Sequence, residues 1–301
     1  MILDNLHYFN ISKNNPEPFL DEFYTFIEIN SELDKYIENA NLIKNILITI
    51  KTLSENSENS DLIQKYYLKL SDNINKYSNA TEFSCFINAC DNSIESVKED
   101  IDTLKIVVEK FFQNRVLNEF TPKDWIQALI DNNSSRKKGK AGEKKLSFIL
   151  NDYGYEKCNN LTELNKSKFG FLEFSSKINL EMVREEFNLK IQTKTQNKNL
   201  DLIIKSNEKL FICEAKHINT SGGGQDKQMS ELIELLSIKE SNKDFYIISF
   251  LDGKYSNRLL DDNSSGKKIS TQRNEIINYL KNNKNNFWLN TKGFRSLFDN
   301  I

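Results

Sequence analysis

Apolar residues recur at helical spacing through residues 17–120. The segments "PFLDEFYTFIEI", "LIKNILITIKTL", "LIQKYYLKLSDNI" and "IESVKEDIDTLKIVVEKFFQNRVLNEF" each read as a helix. In the last, Val97, Ile101, Leu104, Val108 and Phe111 make one stripe at spacings of 4, 3, 4 and 3. Polar joints such as "SENSENSD" and "SNATE" suit helix-to-helix turns. There is no fixed-period repeat and no catalytic constellation here, so the expectation is a helical bundle that packs on, or dimerises with, something else. "EFTPKDW" at 119–125 breaks the pattern, with Pro122 placed for the first turn of a new helix. The expected division is therefore a helical region over 1–120 and a second domain over 121–301.

The second half carries a different rhythm. "NLDLIIK" and "LFICEAKH" read as strands, "QDKQMSELIELLSIK" as a helix, and "DFYIISFLDG" as a buried strand ending in a turn. A strand, a helix and a fully apolar strand in succession predict a parallel crossover. Upstream, "GFLEFS" and "LKIQTK" suggest strands and "NLEMVREEF" a helix; downstream, a helix over 271–282, a short strand "FWL" and a helical "FRSLF" complete the chain. The fold class predicted is α/β, a mixed central sheet flanked by helices, joined to an all-α N-terminal region. Before these strands, "SSRKKGKAGEKKLSFILNDYG" predicts a helix with Leu146, Ile149, Leu150 and Tyr153 on one stripe. Glu143 shares that face one turn nearer the helix start, where the helix dipole favours a carboxylate.

Composition narrows the function classes. The 301 residues are 38% hydrophobic and 28% charged, as in a soluble globular protein. The longest apolar run, "FYIISFL", is far shorter than the roughly 20 residues of a membrane span. No basic segment precedes an apolar core at the N-terminus, so a cytoplasmic location is expected. Cys85, Cys90, Cys158 and Cys213 form no CxxC pair, and His7 and His217 are the only histidines. That argues against a Cys/His zinc site, leaves the cysteines as small buried hydrophobes, and directs any metal to oxygen ligands. Residues 1–120 carry 20 acids and 11 bases, net −9, against 23 acids and 30 bases, net +7, in 121–301. The basic half is suited to meeting a polyanion.

The candidate chemistry lies in "LDLIIKSNEKLFICEAKH". Strand side chains alternate faces, so Ile212, Glu214 and Lys216 share one face and Phe211, Cys213 and Ala215 the other. A hairpin turning about Asn207-Glu208 sets Asp201 directly across from Glu214 and Ile203 across from Ile212, with Cβ atoms about 4.5–5.5 Å apart. Two carboxylates that close repel unless a cation bridges them. Mg²⁺ suits such a pair, and Lys216 on the same face can orient or help deprotonate water and offset charge on a phosphate.

The pattern Asp201, twelve residues, then Glu214-Ala215-Lys216 resembles the core motif of the PD-(D/E)XK nuclease superfamily, the fold of most type II restriction endonucleases. The order of a helix with Glu143, strands, the motif hairpin, a helix and a strand resembles that family's αβββαβ core over roughly residues 135–251. Leu200, not proline, precedes the acid, a departure common in the family. The resemblance implies a restriction endonuclease cutting double-stranded DNA at a short specific sequence, with Mg²⁺ as cofactor and Mn²⁺ able to substitute. It assigns Asp201, Glu214 and the carbonyl of Ala215 as metal ligands, Lys216 as the water-positioning residue and Glu143 as the supporting helix carboxylate. Gln225 or Gln228 stands where the family often carries a polar residue near the phosphate. Arg136, Lys137, Lys138 and Lys140 become a phosphate clamp, and "SSGKKISTQRNE" at 264–275 a loop able to reach bases. Two cuts in a duplex imply a homodimer, with the helical region aiding dimerisation or DNA grip. A restriction enzyme also implies a cognate DNA methyltransferase as a genetic partner. A nonspecific or structure-selective repair nuclease, and a non-catalytic DNA-binding module whose charges form a structural ion pair, are the alternatives.

Overall fold

The computed structural model describes all residues except 1, 27, 57–59, 118–122, 133–134, 176, 192–199, 221 and 265, and leaves out the side chains of 124 and 135–140. The chain opens with helix α1 (Asn5–Asn14) and runs on through α2 (Leu33–Glu55), α3 (Ser60–Asn73), α4 (Glu82–Ala89), α5 (Ile94–Glu99), α6 (Ile101–Asn114) and α7 (Lys123–Asn132). Strands then alternate with helices: α8 (Ser135–Asp152), β1 (Glu156–Lys157), α9 (Leu161–Lys166), β2 (Phe169–Glu173), α10 (Leu180–Glu186), β3 (Leu202–Ser206) and β4 (Lys209–His217). The chain closes with α11 (Gly223–Leu235), β5 (Phe245–Asp252), α12 (Lys254–Leu260), α13 (Lys267–Asn282), β6 (Asn286–Leu289) and α14 (Thr291–Asp299). The protein is thus mixed α/β with an all-helical region. Among the described residues no helix is long and apolar enough to cross a membrane.

Two compact units divide the chain: Met1–Thr25 with Arg136–Ile301, and Phe26–Ser135. The boundary expected at 120 is therefore displaced at both ends. Residues 1–25 join the α/β unit because α1 is built into its core: Tyr8 is fully buried, and the Asn5 amide donates to the carbonyls of Leu280, Asn283 and Asn286 at 2.8–2.9 Å. Helix α7 instead buries Ile126 and Ile130 against Leu33, Ala40 and Ala80 of the helical unit.

The helical unit keeps most of the predicted stripe, with Val97, Leu104, Val108 and Phe111 buried and Ile101 packed beside them. The long helix read over 94–120 is broken, however. Asp100 takes an extended conformation and accepts from the Asp102 N–H, ending α5 and capping α6. The helix expected over 18–29 is absent from its described residues, which hold only a single 3-10 turn at Glu22–Tyr24. There Asp21 caps Phe23, and Tyr24 turns inward while Phe19 and Leu20 stay exposed. Cys158 and Cys213 are buried, but Cys85 is exposed and Cys90 half-buried, which corrects their reading as uniform core residues.

In the α/β unit one sheet has its strands in chain order, β1 to β6. Strands β2, β3 and β4 are antiparallel neighbours, and β4, β5 and β6 run parallel. The crossover predicted between β4 and β5 is made by α11. Ile203, Ile212 and Ile247 on one face pack with Leu232 and Ile233 of α11 and Ile276 of α13. Phe211, Cys213 and Phe250 on the other pack with Leu146, Ile149 and Leu150 of α8 and with Phe294 of α14. No strand forms over Leu189 to Ile191, and the rest of "LKIQTK" lies outside the described residues. Helix α13 begins at Lys267, earlier than expected, and Arg273 is not available to DNA. It is buried, donating to the carbonyls of Leu259 and Asp261 at the end of α12.

Candidate active site at the end of strand β4

The β3–β4 hairpin sets the site. Asn207 accepts the left-handed conformation the turn needs, with φ of 54°. The register pairs Ile203 with Ile212 and Leu202 with Cys213. One residue before β3, the Asp201 N–H donates to the Cys213 carbonyl at 3.0 Å; the paired register itself stops at Leu202 and Cys213, so the direct pairing of Asp201 with Glu214 expected from the sequence is not part of the ladder. Asp201 Oδ2 accepts from the Ala215 N–H at 2.7 Å. Lys216 Nζ lies 2.6 Å from Glu214 Oε1 and 3.9 Å from Asp201 Oδ2. The three charged groups are graded in depth, with the Glu214 side chain 2% exposed and those of Asp201 and Lys216 19% and 20%. They stand where the apolar sheet meets its rim.

Electrostatics mark the pair. The Asp201 carboxyl is pushed up to about 7, first by burial, then by Glu214, while Lys216 and the Ala215 N–H pull it down; Glu143 adds a further push upward. Burial works against the Lys216 ammonium, but Asp201 and Glu214 outweigh it and hold its pKa above the ordinary lysine value. The fully buried Cys213 thiol behind them is pushed well up by burial and the same carboxylates, so it stays protonated. Burial first, and the neighbouring Glu214 carboxylate second, thus favour the protonated Asp201 carboxyl, and both are relieved when a cation binds the two acids. Such a donor set fits a hard divalent cation.

Half-buried Glu143, on α8, is close enough for its charge to act on Asp201. Gln225 and Gln228 are exposed on α11, and neither forms a hydrogen bond to the three strand-end groups among the described residues. The α11 residue that does act on Lys216 is Glu231, which reinforces its charge and which sequence reasoning missed. It flanks the buried stripe of Met229, Leu232 and Ile233. The backbone at Arg136, Lys137, Lys138 and Lys140 is helical, in the first turns of α8; their side chains, expected to form a phosphate clamp, lie outside the described residues.

A second charged cluster, also missed, adjoins the first. Lys145 Nζ is 2.6 Å from Asp21, 2.9 Å from Asp252 and 3.5 Å from Glu17, all four side chains being buried or nearly so. His217 pairs with Asp252 at 2.8 Å and stacks on Tyr24 with ring centroids 3.5 Å apart. Burial opposes the Asp252 charge, yet His217 and Lys145 hold its pKa below the ordinary value. Burial raises that of Glu17 against the pull of Lys145. Carboxylate oxygens of Glu17, Asp21 and Asp252 lie within 4.8 Å of one another, a spacing that suits a cation. The Lys145 ammonium already stands among them, so the protein supplies its own. Two signals pointed here: an acid ending the otherwise apolar "FYIISFLD", and a lysine beside Leu146 on the apolar stripe of α8.

Comparison with protein-family models, with curated proteins and with solved structures returned no match. The functional argument therefore rests on the site itself.

Proposed function

We propose that the protein is a Mg²⁺-dependent endonuclease of the type II restriction class, hydrolysing phosphodiester bonds in double-stranded DNA at a short specific sequence. The observation that carries this reading is the Lys216 ammonium at the end of one hairpin, 2.6 Å from Glu214 and 3.9 Å from Asp201. The order α8, β2, β3, β4, α11, β5 supports the resemblance to the PD-(D/E)XK superfamily. Asp201, Glu214 and the Ala215 carbonyl would hold Mg²⁺, with Mn²⁺ as a substitute; once bound, the ion would polarise the phosphate and acidify the attacking water. Lys216 would orient that water and offset charge growing on the phosphate, and the Ala215 N–H keeps the Asp201 carboxylate aimed. A cytoplasmic homodimer acting beside a cognate methyltransferase completes the proposal.

The 2.6 Å contact of Lys216 with Glu214 also favours a second reading, a structural ion pair in a non-catalytic DNA-binding module. The test is cleavage of unmethylated plasmid and phage DNA with Mg²⁺, beside Mg²⁺-free and Lys216→Ala controls. Discrete bands lost in both controls support the site-specific nuclease. A smear lost in both replaces it with a nonspecific or structure-selective one. No cleavage of any DNA by a folded protein that binds no Mg²⁺ leaves the binding module.

A further inference from the structure

We propose that Asp252 and Lys145 are positioning residues, forming a buried bridge that holds the helix bearing Glu143 and the strand bearing Lys216 in fixed relation. The inference rests on the reading of Asp201, Glu214 and Lys216 as a cation-dependent cleavage site. Asp252, the last residue of β5, is fully buried, and its two oxygens serve different elements. Oδ2 accepts from Lys145 Nζ on α8 at 2.9 Å, and Oδ1 meets His217 Nδ1 on β4 at 2.8 Å. Asn219 orders the imidazole from the other side. Its Oδ1 accepts from the Lys254 N–H at 3.0 Å, so its amide NH₂ faces His217 Nε2 at 3.0 Å and donates to it. The ring proton is thereby placed on Nδ1, pointing at Asp252. Stacking on Tyr24 fixes the ring plane.

Buried ion networks add little stability over well-packed apolar side chains. What this one supplies is direction. Lys145 lies two residues after Glu143, so a clamp on Lys145 fixes both the roll and the axial position of α8 where Glu143 leaves it. His217 directly follows Lys216, so pinning its ring holds the end of β4. Asp252 joins the two clamps in one carboxylate, and Asp21 and Glu17 close the far side of Lys145. Misplacement of a functional group by about 1 Å costs on the order of 10²-fold in rate, which gives such a bridge a purpose.

The test uses the full chain with Asp252→Asn, which keeps the shape but offers one oxygen where two are needed. Wild type, Asp252→Asn, Glu143→Gln and the double variant are compared for the Mg²⁺ midpoint of DNA cleavage and for melting temperature. The expected result is a Mg²⁺ midpoint raised about tenfold by Asp252→Asn, with less than a twofold further change when it is added to Glu143→Gln. Full additivity in the double variant, or a lowered melting temperature with an unchanged Mg²⁺ midpoint, overturns the bridge and leaves the nuclease intact. A wild type that neither cleaves DNA nor melts higher with Mg²⁺ removes the nuclease reading and this inference with it. If Asp252→Asn does not fold, His217→Phe keeps the stack on Tyr24 and cuts the strand-side arm. The same tenfold rise is expected there, and an unchanged midpoint rejects the bridge.

Discussion

Replacing Asp201 by Asn should make the metal-free protein more stable at mildly alkaline pH, although the change removes a charge from an ion-paired site. In the folded chain the Asp201 carboxyl is pushed up to about 7, first by burial and then by Glu214, from an ordinary value of 3.8. Between those values the folded protein holds a proton that the unfolded chain has released. Stability contributed by the protonated form is present below 3.8 and is lost as pH climbs to 7. A gap of about three pKa units at ~1.4 kcal/mol each comes to ~4 kcal/mol by pH 7.5. Asn escapes that loss and keeps an oxygen for the Ala215 N–H. For a unit the size of Met1–Thr25 plus Arg136–Ile301, each kcal/mol moves the melting temperature about 2–4 °C, so the variant should melt about 8–16 °C higher at pH 7.5. At pH 4.5 the difference should shrink to ~1 kcal/mol. Calorimetry of both proteins in EDTA at pH 4.5, 6.0 and 7.5 reads the effect directly. Excess Mg²⁺ should raise the wild type at pH 7.5 and leave the variant nearly unmoved. If the variant melts at or below the wild type at pH 7.5, with a difference that does not change with pH, the raised Asp201 pKa is not there. The pair would then be a fully compensated ion pair.

Other perturbations follow from the same contacts. Lys145→Met strands Glu17, Asp21 and Asp252 without their ammonium and should cost ~3–5 kcal/mol in urea unfolding at pH 7.5. That loss should be smaller at pH 5, where the stranded carboxylates take up protons. Gly293→Ala drives a methyl into Ser12 Oγ and to 3.1 Å from the Tyr8 carbonyl, so α1 must lift from α14. A loss of ~1–3 kcal/mol and faster amide exchange across Asn5–Asn14 are expected. Asp100→Ala removes the cap that starts α6 and should cost about 1 kcal/mol, read by denaturant unfolding of the helical unit.

Much of the sheet was legible because its rules are local. Alternation in "LDLIIK" and "LFICEAK" gave the two faces, the Asn207-Glu208 turn gave the register, and the apolar β5 gave the crossover. What stayed hidden depends on partners far away in sequence. Nothing local in "PFLDEFYTFIEI" says that Asp21 will meet Lys145 and Tyr24 will meet His217, contacts that keep the segment from forming a helix. Asp100 looks like one more polar residue in a helical stripe until its side chain caps the next turn. Helix α1 reads as an unremarkable start because its anchor, Asn5, finds its acceptors some 275–281 residues later. Gln225 and Gln228 drew attention by residue type, whereas Glu231 is the α11 residue whose charge acts on Lys216.

The path of the chain through the α/β unit has a consequence for its history. This unit is left at Thr25 and regained at Arg136, with the helical unit lying between as a continuous insertion. The two attachment points are neighbours. A Cβ on Gly142 would come within 3.2 Å of the Tyr24 hydroxyl, and Gly142 is six residues of α8, roughly 9 Å, beyond Arg136. A flexible bridge of about six to eight residues spans such a gap. The helical unit could therefore have been gained, exchanged or lost in one step without disturbing the sheet. Cutting the chain at residue 121 or 136 is a different operation. It discards α1, Glu17, Asp21 and Tyr24, and with them two of the three carboxylates around Lys145 and the ring that covers His217.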